Sequence, residues 1–111
     1  GERERDRSKI RVDLDVYESV ARGFLAAARE ITDQEVGMMS PAVEAITLEL
    51  GLRFLTDYLR GDTYFQLGPR DPADLNKVRA LAQLELYRKL VESAPEIRSR
   101  TAALRNVAKL A

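Results

Sequence analysis

Hydrophobic side chains recur along most of this chain at intervals of three and four residues, the spacing that gathers them on one face of an α-helix. This spacing predicts an amphipathic helix over 13–31, which Asp13 can cap through its carboxylate. Thr32, followed three residues later by Glu35, matches a capping box, in which each side chain accepts a backbone N–H. We therefore expect a short second helix that ends near Met39.

A third helix is predicted to begin at Ser40 and Pro41, because a Ser cap satisfies a free donor and Pro in the first turn loses no helical hydrogen bond. From Pro41 to Arg60 the segment is apolar on most of its circumference, which is typical of a central, buried helix. Gly61 is expected to end this helix.

The next segment, over 61–72, is rich in Gly and Pro and is predicted to be a loop rather than a strand. Asp71 is expected to cap a fourth helix whose first residue is Pro72 and which ends near Ser93. Ser93 and Glu96 form a second capping-box pattern and predict a fifth helix to the end of the chain. The predicted fold class is thus all-α, a small bundle of four to five helices, with a charged lead-in over 1–12 and a single helical domain over 13–111.

Composition narrows the chemistry that this domain can perform. The 111 residues carry 18 Lys and Arg against 18 Asp and Glu, so no net charge favours binding to nucleic acid or to an anionic membrane. There is no Cys and no His, which excludes disulfides, thiolate chemistry, and the commonest metal ligand and general base. No apolar stretch is as long as a membrane span or a secretion signal, and we expect a cytoplasmic location.

No sequence motif of catalysis stands out. The chain has no glycine-rich phosphate loop and no nucleophile beside a base, so we predict no catalytic residue and no cofactor-binding residue in this chain. Two carboxylate pairs, Asp13 with Asp15 and Asp71 with Asp74, stand where helices are predicted to begin. Because negative charge is favourable there, capping explains both pairs better than metal binding, and no metal site is predicted.

The densest group of polar residues lies between Arg53 and Phe65, where the central helix opens into the loop. Arg53, Asp57, Asp62 and Tyr64 are predicted to project toward one cleft, in which the Arg donors and the Tyr ring could bind sugar hydroxyls or phosphates. The alternative is structural: Glu49, Arg53 and Asp57 step by four residues and can neutralise one another on one helix stripe, while the aromatic residues fix the loop. The pattern alone favours the structural alternative.

Three segments of the chain also resemble a known family. They are SKIRVDLDVYESVARGFLAAAREIT, ITLELGLRFLTDYLRGDTYF and LNKVRALAQLELYRKL, which together span Ser8 to Leu90. They are similar to the C-terminal helical part of aminoglycoside-phosphotransferase-like kinases, and most similar to the N-acetylhexosamine 1-kinase branch. The specific portion is the motif from Arg53 to Phe65, and the remaining helical sequence is generic.

The resemblance implies a role in substrate binding rather than in catalysis. In such kinases a His-x-Asp loop supplies the catalytic base, and ATP and magnesium lie between two lobes. This chain has no such loop, so it would be part of a larger C-terminal lobe and inactive alone, while ATP and magnesium would serve the parent enzyme. The resemblance implies that Arg53 and Tyr64 face the sugar or amino-sugar, and that Asp57 and Asp62 orient Arg53 and the loop.

Two function hypotheses follow. In the first, the chain is the acceptor-binding subdomain of an ATP-dependent sugar or aminoglycoside-like phosphotransferase and partners the missing N-terminal kinase part. In the second, it is an independent helical interaction module that forms a homodimer, because a central helix that is apolar nearly all round would leave apolar surface to be covered.

Overall fold

The computed structural model describes residues 1–110 and shows an all-α fold, which confirms the predicted small helical bundle. Within these residues there are four α-helices, preceded by a single 3₁₀ turn at Arg7–Lys9, and no strand. We number the helices α1 (Leu14–Ala27), α2 (Asp33–Gly37), α3 (Met39–Leu59) and α4 (Leu75–Leu110). The bundle is elongated, 53 × 27 × 21 Å, because α4 runs along most of its length.

Two predicted helix starts are confirmed. The side chain of Asp13 accepts the backbone N–H groups of Asp15 and Val16 and so caps α1. Thr32 and Glu35 form both halves of the capping box at the start of α2. Both sites have the extended backbone at the cap residue that a side-chain cap requires, which is why local sequence was a sufficient guide.

The predicted Ser40 cap is wrong. Helix α3 begins at Met39, two residues before the predicted first residue Pro41, and Ser40 lies inside its first turn and is buried. The residue at the cap position is Met38, which has a helical backbone (φ −88°, ψ −8°) and makes no side-chain cap hydrogen bond. Helices α2 and α3 therefore join through one helical residue, which leaves no extended position from which a Ser could cap.

The predicted break near Ser93 is also wrong, since α4 continues through Pro95 to Leu110. Pro95 cannot donate a helical hydrogen bond, a loss that normally breaks or kinks a helix. However, the buried residues of α4 keep one face on both sides of the proline, at Leu90, Ala94, Ile97, Thr101 and Leu104. Burial of this uninterrupted stripe outweighs the local signals at Ser93 and Glu96.

Helix α4 starts later than predicted. It begins at Leu75 rather than Pro72, and Asp71 does not cap it. Instead, the Asp71 carboxylate accepts the N–H of Gly68 within the preceding loop and pairs with Arg3. No segment of the loop forms a strand, as predicted.

Two sets of contacts build the interior. In the first, α1 and α2 pack on the C-terminal half of α4 through an apolar cluster of Ala21, Leu25, Val36 and Leu104. In the second, α3 crosses the N-terminal half of α4 at Gly51, where a Cβ atom would lie 3.2 Å from the Cβ of Gln83 and 3.3 Å from Leu84. Glycine therefore allows the close approach of the two long helices.

The central helix is not buried all round, contrary to prediction. Its buried positions, Thr47, Gly51, Phe54 and Asp57 among them, follow one face toward α4. Several of its large apolar side chains are exposed instead, namely Val43, Ile46, Leu52 and Leu59. A bundle of this size offers α3 only one packed neighbour along most of its length, so the rest of its apolar circumference meets solvent.

The charged lead-in is largely exposed, apart from the buried Ile10, and its charges have specific partners. Arg5 binds the Asp74 carboxylate through two hydrogen bonds of 2.9 and 2.7 Å, and Glu2 lies 3.3 Å from Arg79. Lys89 of α4 donates to the carbonyls of Arg7 and Ile10. These pairs place the segment along α4. In residues 1–110 no helix combines the length and the hydropathy needed to cross a bilayer.

Candidate functional site

The candidate site is the C-terminal end of α3 and the loop that follows it, over 57–68. Helix α3 ends in a Schellman motif: the Asp62 N–H donates to the Asp57 carbonyl at 2.8 Å, and the Gly61 N–H donates to the Tyr58 carbonyl at 3.2 Å. Gly61 (φ 90°) and Asp62 (φ 61°) both have left-handed backbones. Glycine adopts this conformation at little cost, which explains why Gly61 was a reliable end signal.

The Asp57 carboxylate organises the loop. It is only 5% exposed, and it accepts the backbone N–H groups of Tyr64 at 2.8 Å and Phe65 at 2.9 Å, with the Thr63 hydroxyl at 3.4 Å. Its own backbone carbonyl receives the Asp62 N–H. One residue at the end of α3 thus holds the loop that carries both aromatic side chains.

Asn76, in the first turn of α4, completes this network. Its side chain is fully buried, and its amide nitrogen donates to the Asp62 carboxylate at 2.9 Å and to the Phe65 carbonyl at 2.8 Å. The same nitrogen lies 3.5 Å from Asp57, and the amide oxygen accepts from Arg79 at 3.2 Å. Buried polar groups of this kind are costly unless paired. The Asp57 carboxylate and the Asn76 amide are paired here, whereas the buried Nε of Arg79 makes no hydrogen bond within residues 1–110 and lies 3.3 Å from Glu2.

The hydrogen bonds also decide the charge of Asp57. Burial taken alone raises the pKa of its carboxyl group, because it disfavours the charged form. The backbone N–H groups of Tyr64 and Phe65 donate to the ionised form and more than offset this effect, so the pKa of Asp57 lies below its ordinary value of 3.8. Asp57 is therefore an anion at neutral pH, the form that accepts these backbone N–H groups.

Aromatic and cationic side chains stack above this network. The Phe65 ring lies 4.5 Å from Phe54 and 4.9 Å from Tyr64, centroid to centroid. The Arg53 guanidinium carbon lies 5.4 Å from the Tyr64 ring centre and 5.9 Å from that of Phe65, distances typical of a cation–π contact. Tyr64 remains 71% exposed, so its ring and hydroxyl face the surface.

An open cavity of about 710 Å³ lies at this surface, within the range of small-molecule sites. Arg53 and Tyr64 both line it, together with residues of α3 and the loop: Ala45, Leu48, Glu49, Leu52, Thr56, Asp57, Arg60, Thr63 and Phe65. The apolar part of the lining comes from Ala45, Leu48 and Leu52 of α3. The polar part includes two guanidinium groups, the Tyr64 phenol, threonine hydroxyls and the Glu49 carboxylate, which together can bind a hydroxyl-bearing ligand.

The structure brings three of the four predicted site residues to one cavity, and it does not pair them as expected. Arg53, Asp57 and Tyr64 line one cavity, and Asp62 lies beneath the loop on Asn76. The expected neutralisation along the Glu49, Arg53 and Asp57 stripe is absent within residues 1–110, because the Asp57 oxygens are occupied by loop N–H groups. Arg53 is therefore positioned by aromatic rings rather than by Asp57.

Sequence reasoning missed Asn76 and Arg79. Arg79 lies 5.4 Å from the Phe54 ring centre and donates to Asn76. A usable signal was present: Asn76 lies four residues before Ala80, so the two share one face of the helix, and a polar residue on a buried face needs specific partners.

No group of three or more Asp and Glu residues in the described part of the chain is arranged to hold a metal ion. A comparison with protein-family models found none that matches the chain.

Proposed function

We propose that this chain forms the acceptor-binding wall of an ATP-dependent small-molecule phosphotransferase, with a sugar or amino-sugar as the acceptor. In this proposal the catalytic base, ATP and magnesium are held by another stretch of polypeptide, and this chain binds and orients the sugar. The observation that carries the proposal is the shared cavity of Arg53 and Tyr64, whose guanidinium and ring lie 5.4 Å apart.

The chemistry of the cavity suits a sugar. The exposed face and hydroxyl of Tyr64 can contact a pyranose ring, and the Arg53 guanidinium offers fixed donors to ring hydroxyls or to an acyl oxygen. Because Asp57 and Asn76 hold the loop backbone, the Tyr64 main chain is fixed before a ligand arrives. Such pre-organisation lowers the entropy cost of binding.

Binding of N-acetylglucosamine to the chain tests the proposal directly. We expect saturable amide shifts in nuclear magnetic resonance spectra at Arg53, Thr63 and Tyr64, with weak affinity because only one wall of the pocket is present. Arg53→Ala should weaken binding about tenfold, because it removes roughly the free energy of one hydrogen bond from a charged donor. Arg70→Ala, at an exposed position of the same loop, is the matched control.

Measurements on a polypeptide that also carries the catalytic loop sharpen the test. Arg53→Ala and Tyr64→Phe should raise the KM for the sugar while leaving the KM for ATP unchanged. The proposal fails if both variants keep the KM and kcat of the unchanged enzyme, or if the sugar causes no saturable shift in the cavity.

The second candidate function is self-association, and a specific observation favours it. Helix α1 exposes Val16, Val20 and Phe24, which are spaced by four residues and form one row. Exposed apolar rows of this kind are typical of contact surfaces. Light scattering over a wide concentration range should show a dimer that Val20→Lys dissociates; a monomer at every concentration would exclude this function.

A further inference from the structure

A second cavity lies at the opposite end of the bundle from the Arg53 site. Its volume is about 330 Å³, at the lower end of the range for small-molecule sites. Residues of the α2–α3 junction form one side, and the last turns of α4 form the other. The cavity shares no lining residue with the Arg53 site.

Positive charge dominates this cavity. Three cationic side chains of α4 line it, Arg98, Arg105 and Lys109, against the single carboxylate of Asp33. Asp33 binds Lys109 at 2.9 Å and Arg105 at 3.4 Å. Arg98 takes part in no ion pair at this cavity within residues 1–110. It lies three helical turns before the end of α4, so the helix dipole, which acts within the last turn, does not explain a positive charge at this position.

The opposite side of the cavity carries a hydroxyl group that has no hydrogen-bond partner within residues 1–110. This hydroxyl belongs to Ser40, which lines the cavity and is 4% exposed. Ser40 also lies in the first turn of α3, a helix of 21 residues to which no side chain provides a cap. The partial positive charge of an uncapped helix N-terminus favours an anion.

We propose that this cavity binds the phosphate group of a small ligand, either free phosphate or a phosphomonoester. Arg98 supplies the principal charge, since it makes no ion pair within residues 1–110, and the Asn106 amide is a further donor at the rim. The Ser40 hydroxyl gains its missing partner when the ligand is bound. The proposal is independent of the sugar site, because the two cavities use different residues.

A titration of the full chain with sodium phosphate, set against sodium chloride at equal ionic strength and pH, tests this site. Saturable amide shifts are expected at Gly37, Ser40 and Asn106 with phosphate alone. Arg98→Gln should weaken binding at least tenfold and leave the fold unchanged, because this side chain makes no ion pair within residues 1–110. Ser40→Ala should weaken binding severalfold. Arg70→Gln, on the distant loop, is the control that should bind as the unchanged chain does.

A parallel titration with glycerol 3-phosphate separates the two sources of phosphate. Tighter binding than inorganic phosphate identifies a phosphomonoester as the ligand, and equal binding identifies the free ion. The proposal is overturned if phosphate and chloride cause the same shifts, if Arg98→Gln binds as well as the unchanged chain, or if the saturable shifts fall at Arg53 and Arg60 instead.

Discussion

Both halves of α4 pack through buried apolar side chains, but among the described residues only the N-terminal half adds a buried hydrogen-bond network to a loop. Its N-terminal half carries Asn76, which holds the loop through hydrogen bonds to Asp62 and to the Phe65 carbonyl. Its C-terminal half carries Leu104, which joins the apolar cluster around Leu25. Apolar packing stabilises without strong directional preference, whereas a buried hydrogen-bond network fixes atomic positions. The candidate sugar site lies at the half where positions are fixed.

The largest loss of stability is expected from the apolar half. Leu25→Ala should lower the free energy of unfolding by about 3 kcal/mol, since Leu25 is nearly inaccessible and its removal leaves a cavity. Denaturant unfolding measures this change, and Leu110→Ala at the exposed end of α4 is the control. The amide shifts of the loop over 61–68 should stay unchanged; if they move as much as those of α1, the two halves are not separable.

Asn76→Ala should cost somewhat less, about 2 kcal/mol, because it leaves the Asp62 carboxylate and the Phe65 carbonyl without their buried donor. In this variant, hydrogen exchange of the Tyr64 and Phe65 amides should accelerate more than the loss of global stability explains, because the loop is released locally. The control is Asn106→Ala, at an exposed position of α4. Uniform acceleration across all helices would show that Asn76 contributes stability without fixing the loop.

The sequence predicted helix ends correctly where the signal is local, and it failed where distant contacts decide. Asp13, the Thr32 and Glu35 box, and Gly61 were predicted correctly because each signal acts within a few residues of the backbone that it controls. The break at Ser93 was wrong because tertiary burial on both sides of Pro95 overrides a local cap. Spacing within α4 held the better signal, since its buried residues recur without interruption through the proline.

The members of the candidate site were predictable in part, and their pairing was not. Placement of Arg53, Asp57 and Tyr64 beside one cleft followed from a helix that opens directly into a loop. The partners of Asp57 did not follow, because they are backbone N–H groups of the loop, and their direction depends on the left-handed turn at Gly61 and Asp62. Sequence spacing describes side chains on one helix and carries no information on such a turn.

A substitution at the close contact between α3 and α4 should lower the stability less than Asn76→Ala does. Gly51→Ala should destabilise by about 1 kcal/mol, because the added methyl group meets Gln83 and Leu84 within 3.4 Å and α3 must move away from α4. Gly23→Ala is a matched control, since a Cβ there meets nothing within 4 Å, and it should stabilise α1 by up to about 1 kcal/mol. Thermal unfolding of both variants measures the difference; equal signs would mean that the helices do not approach closely at Gly51.

The smallest expected effect is the pH dependence of stability. Its response to salt should differ between the carboxylates of Asp57 and Asp33. Asp57 and Asp33 both have folded pKa values below 3.8, Asp57 through the loop N–H groups and Asp33 chiefly through its hydrogen bond to Lys109. A lowered folded pKa gives stability that is present above the unfolded pKa and is lost as the pH falls toward the folded value. Both carboxylates should therefore contribute to acid destabilisation below about pH 4.

High salt should weaken the contribution of Asp33 and leave that of Asp57 largely intact. The side chain of Asp33 is 76% exposed, so ions screen its pairing with Lys109, whereas the buried Asp57 interacts through short hydrogen bonds that salt reaches poorly. In about 1 M salt, where the screening length is about 3 Å, Asp57→Asn should flatten the loss of stability between pH 5 and pH 3, and Asp33→Asn should have little effect. In low salt both variants should flatten it. If Asp57→Asn leaves the acid limb unchanged in high salt, the loop is not held by the ionised carboxylate, and the contrast between a fixed half and a packed half does not hold.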